Sequence, residues 1–367
     1  MPADKATFRA RRDRAAARAR ELDLCALLVS PGSDLGYLTG HHIRESERLT
    51  CLVLAADGAG TLVVPELEAP RAAAAAPGLT LLTWGETTDP ARVVAKLVPR
   101  FGTVAVAERM WATFLMRLEA ALPGRHFVGA GAVTAPLRAV KDEREVDALR
   151  SVAASADRAY ARLRESELAG RTEREVAAEI SSLLLEEGHD EAGFAIVGSG
   201  PNGASPHHEP GERRVARGDA IVLDFGGTRE RYCSDITRTV HVGPPDAEVV
   251  RVHDVVRRAQ EVAYRAAREG ASASSVDSAA RHVIEEAGYG ERFIHRLGHG
   301  IGLDGHEDPY LVKGNEEQLV PGMAFSIEPG IYLPGRFGVR IEDIAVIDDS
   351  GAAEPLNQAD RSLAIVR

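Results

Sequence analysis

The chain has 367 residues, of which 44% are hydrophobic and 27% charged, and its formal net charge is −11 at pH 7. This length exceeds one average domain, so two domains are expected. The acidic balance counts against nucleic acid or an anionic membrane as partner, and no apolar stretch reaches the roughly 18 residues that a spanning helix needs. A small molecule or a peptide is the expected partner.

The ends and the cysteines bear on location. The basic, Ala-rich start, Met1–Arg20, has no apolar core or cleavage-like site, which counts against a secretory signal and favours an amphipathic surface helix. An organelle-targeting peptide is the alternative, against which Asp4, Asp13 and the lack of Ser argue. Cys25, Cys51 and Cys233 are odd in number and widely spaced, as in reduced thiols. A cytoplasmic protein is expected.

The first region, predicted as a domain of residues 1–138, mixes strand and helix patterns. Strands are predicted at Leu24–Ser30, Leu49–Ala55, Thr61–Val64 and Val104–Ala107. Helices are predicted at Ala91–Pro99 and Trp111–Leu122. The run Val133–Val140 is interpreted as a connector. The region is therefore predicted to be an α/β domain.

The second region, residues 139–367, has an element order that repeats. Its helices are predicted at Glu143–Glu165, Thr172–Glu187, Ala247–Glu269 and Val276–Ala287. The second of these begins with the capping box Thr172-Glu-Arg-Glu175. Each pair of helices precedes strands, at Asp219–Val242 in one half and at Gly322–Leu333 and Gly338–Ile347 in the other. We expect two similar halves with helices on one face of a joint, mostly antiparallel sheet, and an α+β fold.

The first hairpin carries two aspartates among apolar residues. With a turn centred between Arg229 and Glu230, Asp224 and Asp235 would lie directly across from each other. Opposed like charges destabilise a strand pair, and burial makes their repulsion worse unless a cation lies between them. The hairpin therefore predicts a cation site.

The second hairpin repeats this arrangement. With a turn centred on Gly335, Glu328 faces Glu342, again between apolar neighbours. Four carboxylates would meet where the halves join, and His299, in the glycine-rich run Gly-His-Gly-Ile-Gly, is the expected imidazole. Such an oxygen-rich set suits two divalent ions, with manganese, iron or cobalt favoured.

At these residues the chain resembles the "pita-bread" metallopeptidases, the family of methionine aminopeptidases, Xaa-Pro aminopeptidases and prolidases. The resemblance covers about Lys141 to the C-terminus and is carried by the motifs Leu223-Asp224-Phe-Gly, Ser234-Asp235-Ile-Thr-Arg-Thr, Gly298-His299-Gly-Ile-Gly, Ser326-Ile-Glu328-Pro-Gly and Arg340-Ile-Glu342-Asp. A separate N-terminal creatinase/prolidase-like domain and the phrases Tyr37-Leu-Thr-Gly40 and Ser205-Pro-His207-His208-Glu resemble the proline-specific branch.

The resemblance implies roles for individual side chains. Metal ligands would be Asp224, Asp235, His299, Glu328 and Glu342. His207 and His306 would contact the substrate and donate hydrogen bonds to the oxyanion, while Glu328 would also shuttle a proton. His295 would contact the substrate, and Arg340, also placed among the substrate-binding residues, would orient a carboxylate ligand.

The expected activity is hydrolysis of the bond between an N-terminal residue and proline, by water activated between two divalent ions. Manganese is favoured, with cobalt, iron or zinc as alternatives. The sequence leaves open a prolidase or a Xaa-Pro aminopeptidase. Other classes on the same fold are a creatinase-like amidinohydrolase and a non-catalytic binding module, both of which the complete ligand set disfavours.

Three further histidines have less specific interpretations. His208 is expected to be a mere neighbour of His207. His41 and His42 follow the Tyr37-Leu-Thr-Gly turn and are either part of a solvated loop or reach the active site of a partner subunit. A homodimer formed through the N-terminal domain is what the resemblance implies.

Overall fold

The computed structural model describes residues 5–76 and 78–367. The chain divides into two compact units, one that ends at Arg138 and one that comprises Ala139–Arg367. Within the described residues, no helix is both long enough and apolar enough to cross a membrane.

The first unit is an α/β domain with one six-stranded sheet. Its helices are α1 Lys5–Glu21, α2 Ser33–Thr39, α3 Ala69–Ala75, α4 Pro90–Ala95, α5 Ala112–Ala121 and α6 Gly131–Ala139. Its strands are β1 Leu24–Val29, β2 Cys51–Ala55, β3 Gly60–Pro65, β4 Thr80–Trp84, β5 Thr103–Val106 and β6 Phe127–Gly129. The strand order is β4-β3-β2-β1-β5-β6, in which β1, β2 and β3 are antiparallel neighbours and the outer pairings are parallel.

The connector predicted at Val133–Val140 is wrong, because most of it belongs to helix α6. Pro136 lies inside this helix, and a proline there favours an irregular segment when the sequence is read locally. Contacts within the unit hold the helix instead. Arg138 pairs with Asp34 at 2.7 Å, and the Thr134 hydroxyl donates to the other oxygen of the same carboxylate.

Two other features of the first unit differ from the expected picture. The described part of the predicted Met1–Arg20 helix is helical, but α1 buries Arg11 and Arg12 as well as alanines, so it is not a simple amphipathic surface helix. Arg12 donates to the Leu38 carbonyl at 2.9 Å. His41 is fully buried, so the interpretation as a solvated loop is wrong for this residue.

The second unit has the predicted repeat of two helices followed by strands. Its helices are α7 Glu143–Leu163, α8 Glu173–Glu186, α9 Ala247–Ala266 and α10 Ala273–Glu286. The strands of the first half are β7 Glu191–Ser199, β8 Ala220–Arg229, β9 Tyr232–Cys233 and β10 Ile236–Val242. Those that follow are β11 Gly298–Gly300, β12 Glu307–Leu311, β13 Ala324–Ile327, β14 Gly330–Leu333, β15 Phe337–Arg340, β16 Asp343–Ile347, β17 Ala353–Pro355 and β18 Ala364–Val366.

Side-chain caps set the starts of these helices. The predicted capping box at Thr172 and Glu175 is confirmed, and Asp142 and Glu145 form a second one before α7. Helix α10 begins at Ala273, three residues before the predicted start, because the Ser272 side chain accepts a hydrogen bond from the Ser275 N–H.

The predicted joint sheet is instead two five-stranded sheets and a separate hairpin. One sheet has the order β18-β10-β8-β7 with β9 beside β8, the other has the order β12-β11-β13-β16-β17, and β14 pairs with β15. An isolated bridge between Thr237 and Glu342 links the two halves. Each half has its own buried apolar cluster between helices and strands, so the polar residues at the bridge lie between two rigid cores.

Candidate metal centre

The first hairpin turns one residue later than predicted. Glu230 and Arg231 both have positive φ, as a two-residue hairpin turn requires, and Asp224 pairs with Thr237 rather than with Asp235. The chain at Ser234 comes so close to β8 that a Cβ on Gly226 would lie 2.0 Å from the Ser234 carbonyl oxygen. Asp235 is therefore a diagonal neighbour of Asp224, and the glycine makes the close approach possible.

The second hairpin has the predicted register, but its strands are interrupted. Ile327 pairs with Asp343 and Gly330 with Arg340, which places Glu328 across from Glu342. Neither glutamate continues the ladder. The Glu328 N–H donates to the Leu297 carbonyl at 2.9 Å, and the Glu342 N–H donates to the Thr237 carbonyl at 3.0 Å. These breaks divide each predicted strand in two and direct both side chains into the junction of the halves.

The structure brings the four carboxylates and His299 together. His299 Nε2 lies 3.3 Å from Glu328 Oε1, 3.8 Å from Asp235 Oδ2 and 4.0 Å from Glu342 Oε1. Asp224, Asp235 and Glu342 form a second group whose ligand atoms lie within 4.8 Å of one another. His306 joins Asp235 and His299 in a third such group, and its ring centroid is 3.8 Å from that of His299.

This donor set fits divalent cations. Asp224 Oδ1, Asp235 Oδ1 and Glu342 Oε1 are buried, and no hydrogen-bond donor reaches them from the described residues. The His299 Nδ1–H donates to the Gly300 carbonyl, so its Nε2 directs a lone pair at the carboxylates. Acceptors that face one another in a buried site require a proton or a cation between them.

The ionisation behaviour of the cluster has the same cause. Burial, together with the negative charges of Glu342 and Asp224, holds the pKa of Asp235 well above its usual range. Burial and the charges of Glu328 and Asp224 do the same to Glu342. Burial raises the pKa of Glu328 to about 7, against the opposing charge of Arg340. Burial and the neighbouring His306 lower the pKa of His299 to about 3, so its imidazole is neutral.

Two hydroxyl side chains support the cluster, and the sequence reasoning missed both. Ser326 accepts from the His299 N–H at 3.0 Å and donates to Glu328 Oε1 at 3.1 Å. Thr237 donates to Glu342 Oε2 at 2.6 Å. Each precedes or follows a cluster acid by two residues, the spacing that places strand side chains on one face, and this spacing is the signal that could have identified them.

A chain of hydrogen bonds lies beside the carboxylates. Arg340 donates to Asp224 Oδ2 at 2.5 Å and to the Tyr332 hydroxyl at 2.8 Å. His295 Nε2 lies 2.9 Å from the same hydroxyl and its Nδ1 is 2.7 Å from the Arg296 carbonyl. Since Nδ1 must donate to the carbonyl, Nε2 accepts from Tyr332. The sequence reasoning did not identify Tyr332, which lacks a distinguishing pattern in an apolar strand.

The carboxylate cluster lines one cavity of 590 Å³ within the second unit. Its wall includes the accessory residues His207, His295, His306 and Arg340 and all five predicted ligands. Phe194, Ile196 and Pro206 supply apolar surface, and Arg296 supplies a further cation that the sequence reasoning missed. His208 does not line it; its ring contacts the Glu173 carboxylate at 2.7 Å.

The two units match two known families. Residues 147–349 match the metallopeptidase family M24, and residues 11–140 match the creatinase/prolidase N-terminal domain. The chain belongs to metallopeptidase family M24, with a creatinase-type domain preceding the catalytic one.

Full-length relatives agree with this assignment. The probable dipeptidase PepE of Mycobacterium tuberculosis is 46% identical over 357 residues, which are 96% of this chain and 95% of the relative. A Xaa-Pro dipeptidase of Lactobacillus delbrueckii subsp. lactis is 36% identical over 92% of this chain and 94% of its own. The crystal structure of the dipeptidase PepE from Mycobacterium ulcerans superposes over 100% of both chains, with a TM-score of 0.94 and 44% identity. The chain is therefore a metallopeptidase. This assignment argues against both alternatives, the creatinase-like amidinohydrolase and the non-catalytic binding module.

Proposed function

We propose that this protein is a Xaa-Pro dipeptidase that acts with two divalent metal ions. Asp224, Asp235, His299, Glu328 and Glu342 would hold the ions. The observation that carries the metal assignment is the set of buried carboxylate oxygens without a hydrogen-bond donor among the described residues. Manganese is favoured because oxygen ligands predominate, with cobalt, iron or zinc as alternatives. The Xaa-Pro substrate is supported by the relative of that name from Lactobacillus delbrueckii.

The chain's own groups divide the remaining work. When bound, the ions would act as Lewis acids and lower the pKa of the attacking water. Glu328 would accept a proton from that water and pass it to the leaving nitrogen, and the burial that raises its pKa supports this role because it favours the protonated form.

Two histidines are placed to stabilise the developing oxyanion. His306 Nδ1 lies 3.3 Å from Arg296 NH2, which can only donate, so Nε2 carries the proton of the neutral ring. Burial, followed by the charge of Arg296, lowers the pKa of His306 and favours this neutral form. His207 lines the same cavity and would be a second donor. A tertiary amide of proline brings no N–H, so the apolar wall of Phe194, Ile196 and Pro206 suits its ring.

Arg296 favours a dipeptide over a longer peptide. Its guanidinium lines the cavity and lies 4.4 Å from the Tyr310 ring centroid, and within the described residues no carboxylate is in ion-pair contact with it. A guanidinium that has no carboxylate partner among the described residues suits a substrate carboxylate, which it can bind with two hydrogen bonds. In a Xaa-Pro dipeptide that carboxylate is on the proline itself.

The test compares three substrates that share the same Xaa-Pro part: the dipeptide Xaa-Pro, its amide, and the tripeptide Xaa-Pro-Xaa. Protein stripped of metal and reloaded with manganese should cleave the dipeptide with the highest kcat/KM. Arg296→Gln should reduce that value by roughly 10- to 100-fold for the dipeptide and much less for the amide, because only the dipeptide presents the carboxylate. The exposed Arg292→Gln is the matched control.

Preference for the tripeptide, with an Arg296→Gln effect that is equal for dipeptide and amide, would assign the chain to the Xaa-Pro aminopeptidases instead. Cleavage of none of the three by manganese-loaded protein would contradict the proline assignment. The cytoplasmic location and the homodimer stay predictions.

A further inference from the structure

Glu173, the first residue of helix α8, lies outside the metal centre and binds a loop through several hydrogen bonds. Its side chain is fully buried and accepts hydrogen bonds from one short stretch of chain. The donors are the Ser199 N–H at 2.8 Å, the Ser199 hydroxyl at 2.7 Å, Asn202 Nδ2 at 3.0 Å, His208 Nε2 at 2.7 Å and the Gly211 N–H at 3.4 Å. These donors bracket residues 200–211, which we call the His207 loop.

The opposite side of this loop is fixed as well. Arg340 donates to the Pro206 carbonyl at 3.3 Å. Gly203 lies against β15 so closely that a Cβ on Gly338 would be 1.9 Å from the Gly203 carbonyl oxygen. His207 therefore stands between two restrained neighbours, Pro206 bound by Arg340 and His208 bound by Glu173. Its own side chain is exposed and lines the cavity.

The charge of Glu173 is matched to this task. Burial opposes its ionisation, but the hydrogen bonds from Ser199, His208 and Asn202 outweigh burial and lower its pKa. The carboxylate also lies at the N-terminus of α8, where the helix dipole favours a negative charge. Both oxygens of this carboxylate accept hydrogen bonds, whereas a glutamine would replace one of them by an NH2 group, which would face the donors of His208 and Gly211 or of Ser199.

We propose that Glu173 is a positioning residue, which orients His207 toward the cavity by fixing the His207 loop through His208 and Asn202. The inference rests on the role of His207 in the proposed function. It goes beyond that function because Glu173 contacts neither the carboxylate cluster nor the cavity.

The first test is a double-mutant cycle. Glu173→Gln should lower kcat for a Xaa-Pro dipeptide by about 10- to 100-fold with a smaller change in KM, because a misplaced catalytic group costs about this much. In a His207→Ala background the same change should alter kcat by less than about twofold. Glu175→Gln is the matched control, since Glu175 lies in the same helical turn and a glutamine preserves the capping box. Equal losses in both backgrounds would overturn the proposal.

A second readout needs no substrate. The imidazole resonance of His207 in the zinc-loaded protein is identified by its loss in His207→Ala, and Glu173→Gln should shift it while the bound zinc stays at the wild-type amount. An unshifted resonance, or a loss of zinc, would refute the positioning role. A shifted resonance in protein that cleaves no Xaa-Pro peptide would support positioning and reject only the substrate.

If Glu173→Gln does not fold, His208→Ala removes one donor and leaves the buried carboxylate with the others. It should shift the same resonance and reduce kcat to a smaller extent. Retained wild-type kcat together with an unshifted resonance in this variant would overturn the proposal.

Discussion

Glu342 and Asp343 are consecutive in the chain, and both are buried, with 2% and 0% exposure. Strand geometry directs their side chains to opposite faces, and the two faces present different neighbouring side chains. Glu342 faces Asp224, Asp235 and Glu328, and its Oε1 has no hydrogen-bond donor among the described residues.

Asp343 faces cations and amides. Arg238 donates to its Oδ1 at 2.5 Å, while Arg361 and Gln260 donate to its Oδ2 at 2.6 and 3.0 Å. Arg238 also donates to the Glu342 carbonyl at 2.6 Å, so one guanidinium links the two sides.

The groups that face a buried charge distinguish a structural carboxylate from a functional one. Asp343 is compensated by protein groups, and removal of its charge would leave the buried Arg238 and the partly buried Arg361 without their ion-pair partner. Glu342 is opposed by protein groups, and removal of its charge would relieve repulsion unless a cation is bound. The two neighbours should therefore respond to neutralisation with opposite signs.

The largest effect is expected at the compensated position. Asp343→Asn should reduce the free energy of unfolding by about 3–5 kcal/mol, because breaking one partner out of a buried ion pair leaves uncompensated charge. Denaturant unfolding of the metal-free protein measures this, with the exposed Asp349→Asn as control. A loss below about 1 kcal/mol would mean that the charge of Asp343 does not stabilise the fold.

The next effect concerns metal and pH together. Below about pH 4.5, the ordinary value for Glu, position 328 is protonated in both the folded and the unfolded chain. As pH rises to about 7, the unfolded chain loses this proton while the folded chain retains it, so the metal-free protein loses stability. The raised pKa values of Asp235 and Glu342 act in the same direction as that of Glu328.

Manganese should reverse the loss, because bound cations favour the ionised carboxylates. The difference in Tm between manganese-loaded and chelator-treated protein should thus be larger at pH 8 than at pH 5. Glu328→Gln should reduce the pH dependence of the metal-free protein. A metal-free protein that becomes more stable between pH 5 and pH 7 would argue against this account of the cluster.

A smaller effect of opposite sign is expected at Glu342. In metal-free protein at pH 8, Glu342→Gln should raise the free energy of unfolding on the order of 1 kcal/mol, roughly 2–4 °C in Tm, because it removes one of several opposed charges. The same variant should lose activity by more than about 100-fold, since even outer-shell changes at metal sites cost 10- to 100-fold. If Glu342→Gln instead destabilises the metal-free protein, neutralisation of Glu342 and of Asp343 would have the same sign, contrary to this prediction.

The same two hairpins show what the sequence can predict. Opposed acids among apolar residues indicated the cluster, and the second hairpin register followed from the turn at Gly335. The first register failed because Glu230 and Arg231, neither of them glycine, adopt positive φ, and no local signal marks non-glycine residues for that conformation. The four acids nevertheless lie close together, since diagonal neighbours on one face also converge.

Local sequence patterns do not predict the roles of residues that depend on tertiary contacts. Glu173 has the pattern of an ordinary acid in the first turn of a helix, and its partners are 26 to 38 residues away. Helix α6 formed despite Pro136 because Asp34, about 100 residues distant, binds two of its side chains. Periodicity and caps predict elements, but neither reports which partner a distant segment supplies.

The smallest expected effect lies at Thr237, which forms the backbone bridge to Glu342 that links the two halves. Its hydroxyl donates to Glu342 Oε2 and accepts from Arg340 Nε at 3.1 Å, so Thr237→Val removes both bonds with little change in shape. The free energy of unfolding should fall by about 1 kcal/mol, and manganese affinity by roughly 10-fold, because Glu342 loses its only side-chain donor within the described residues. Thr237→Ser keeps the hydroxyl and should retain the affinity, as isothermal titration with manganese would show. If the Thr237→Val and Thr237→Ser variants bind manganese equally well, the backbone bridge to Thr237 alone orients Glu342. The Thr237 hydroxyl would then contribute to stability and not to metal binding.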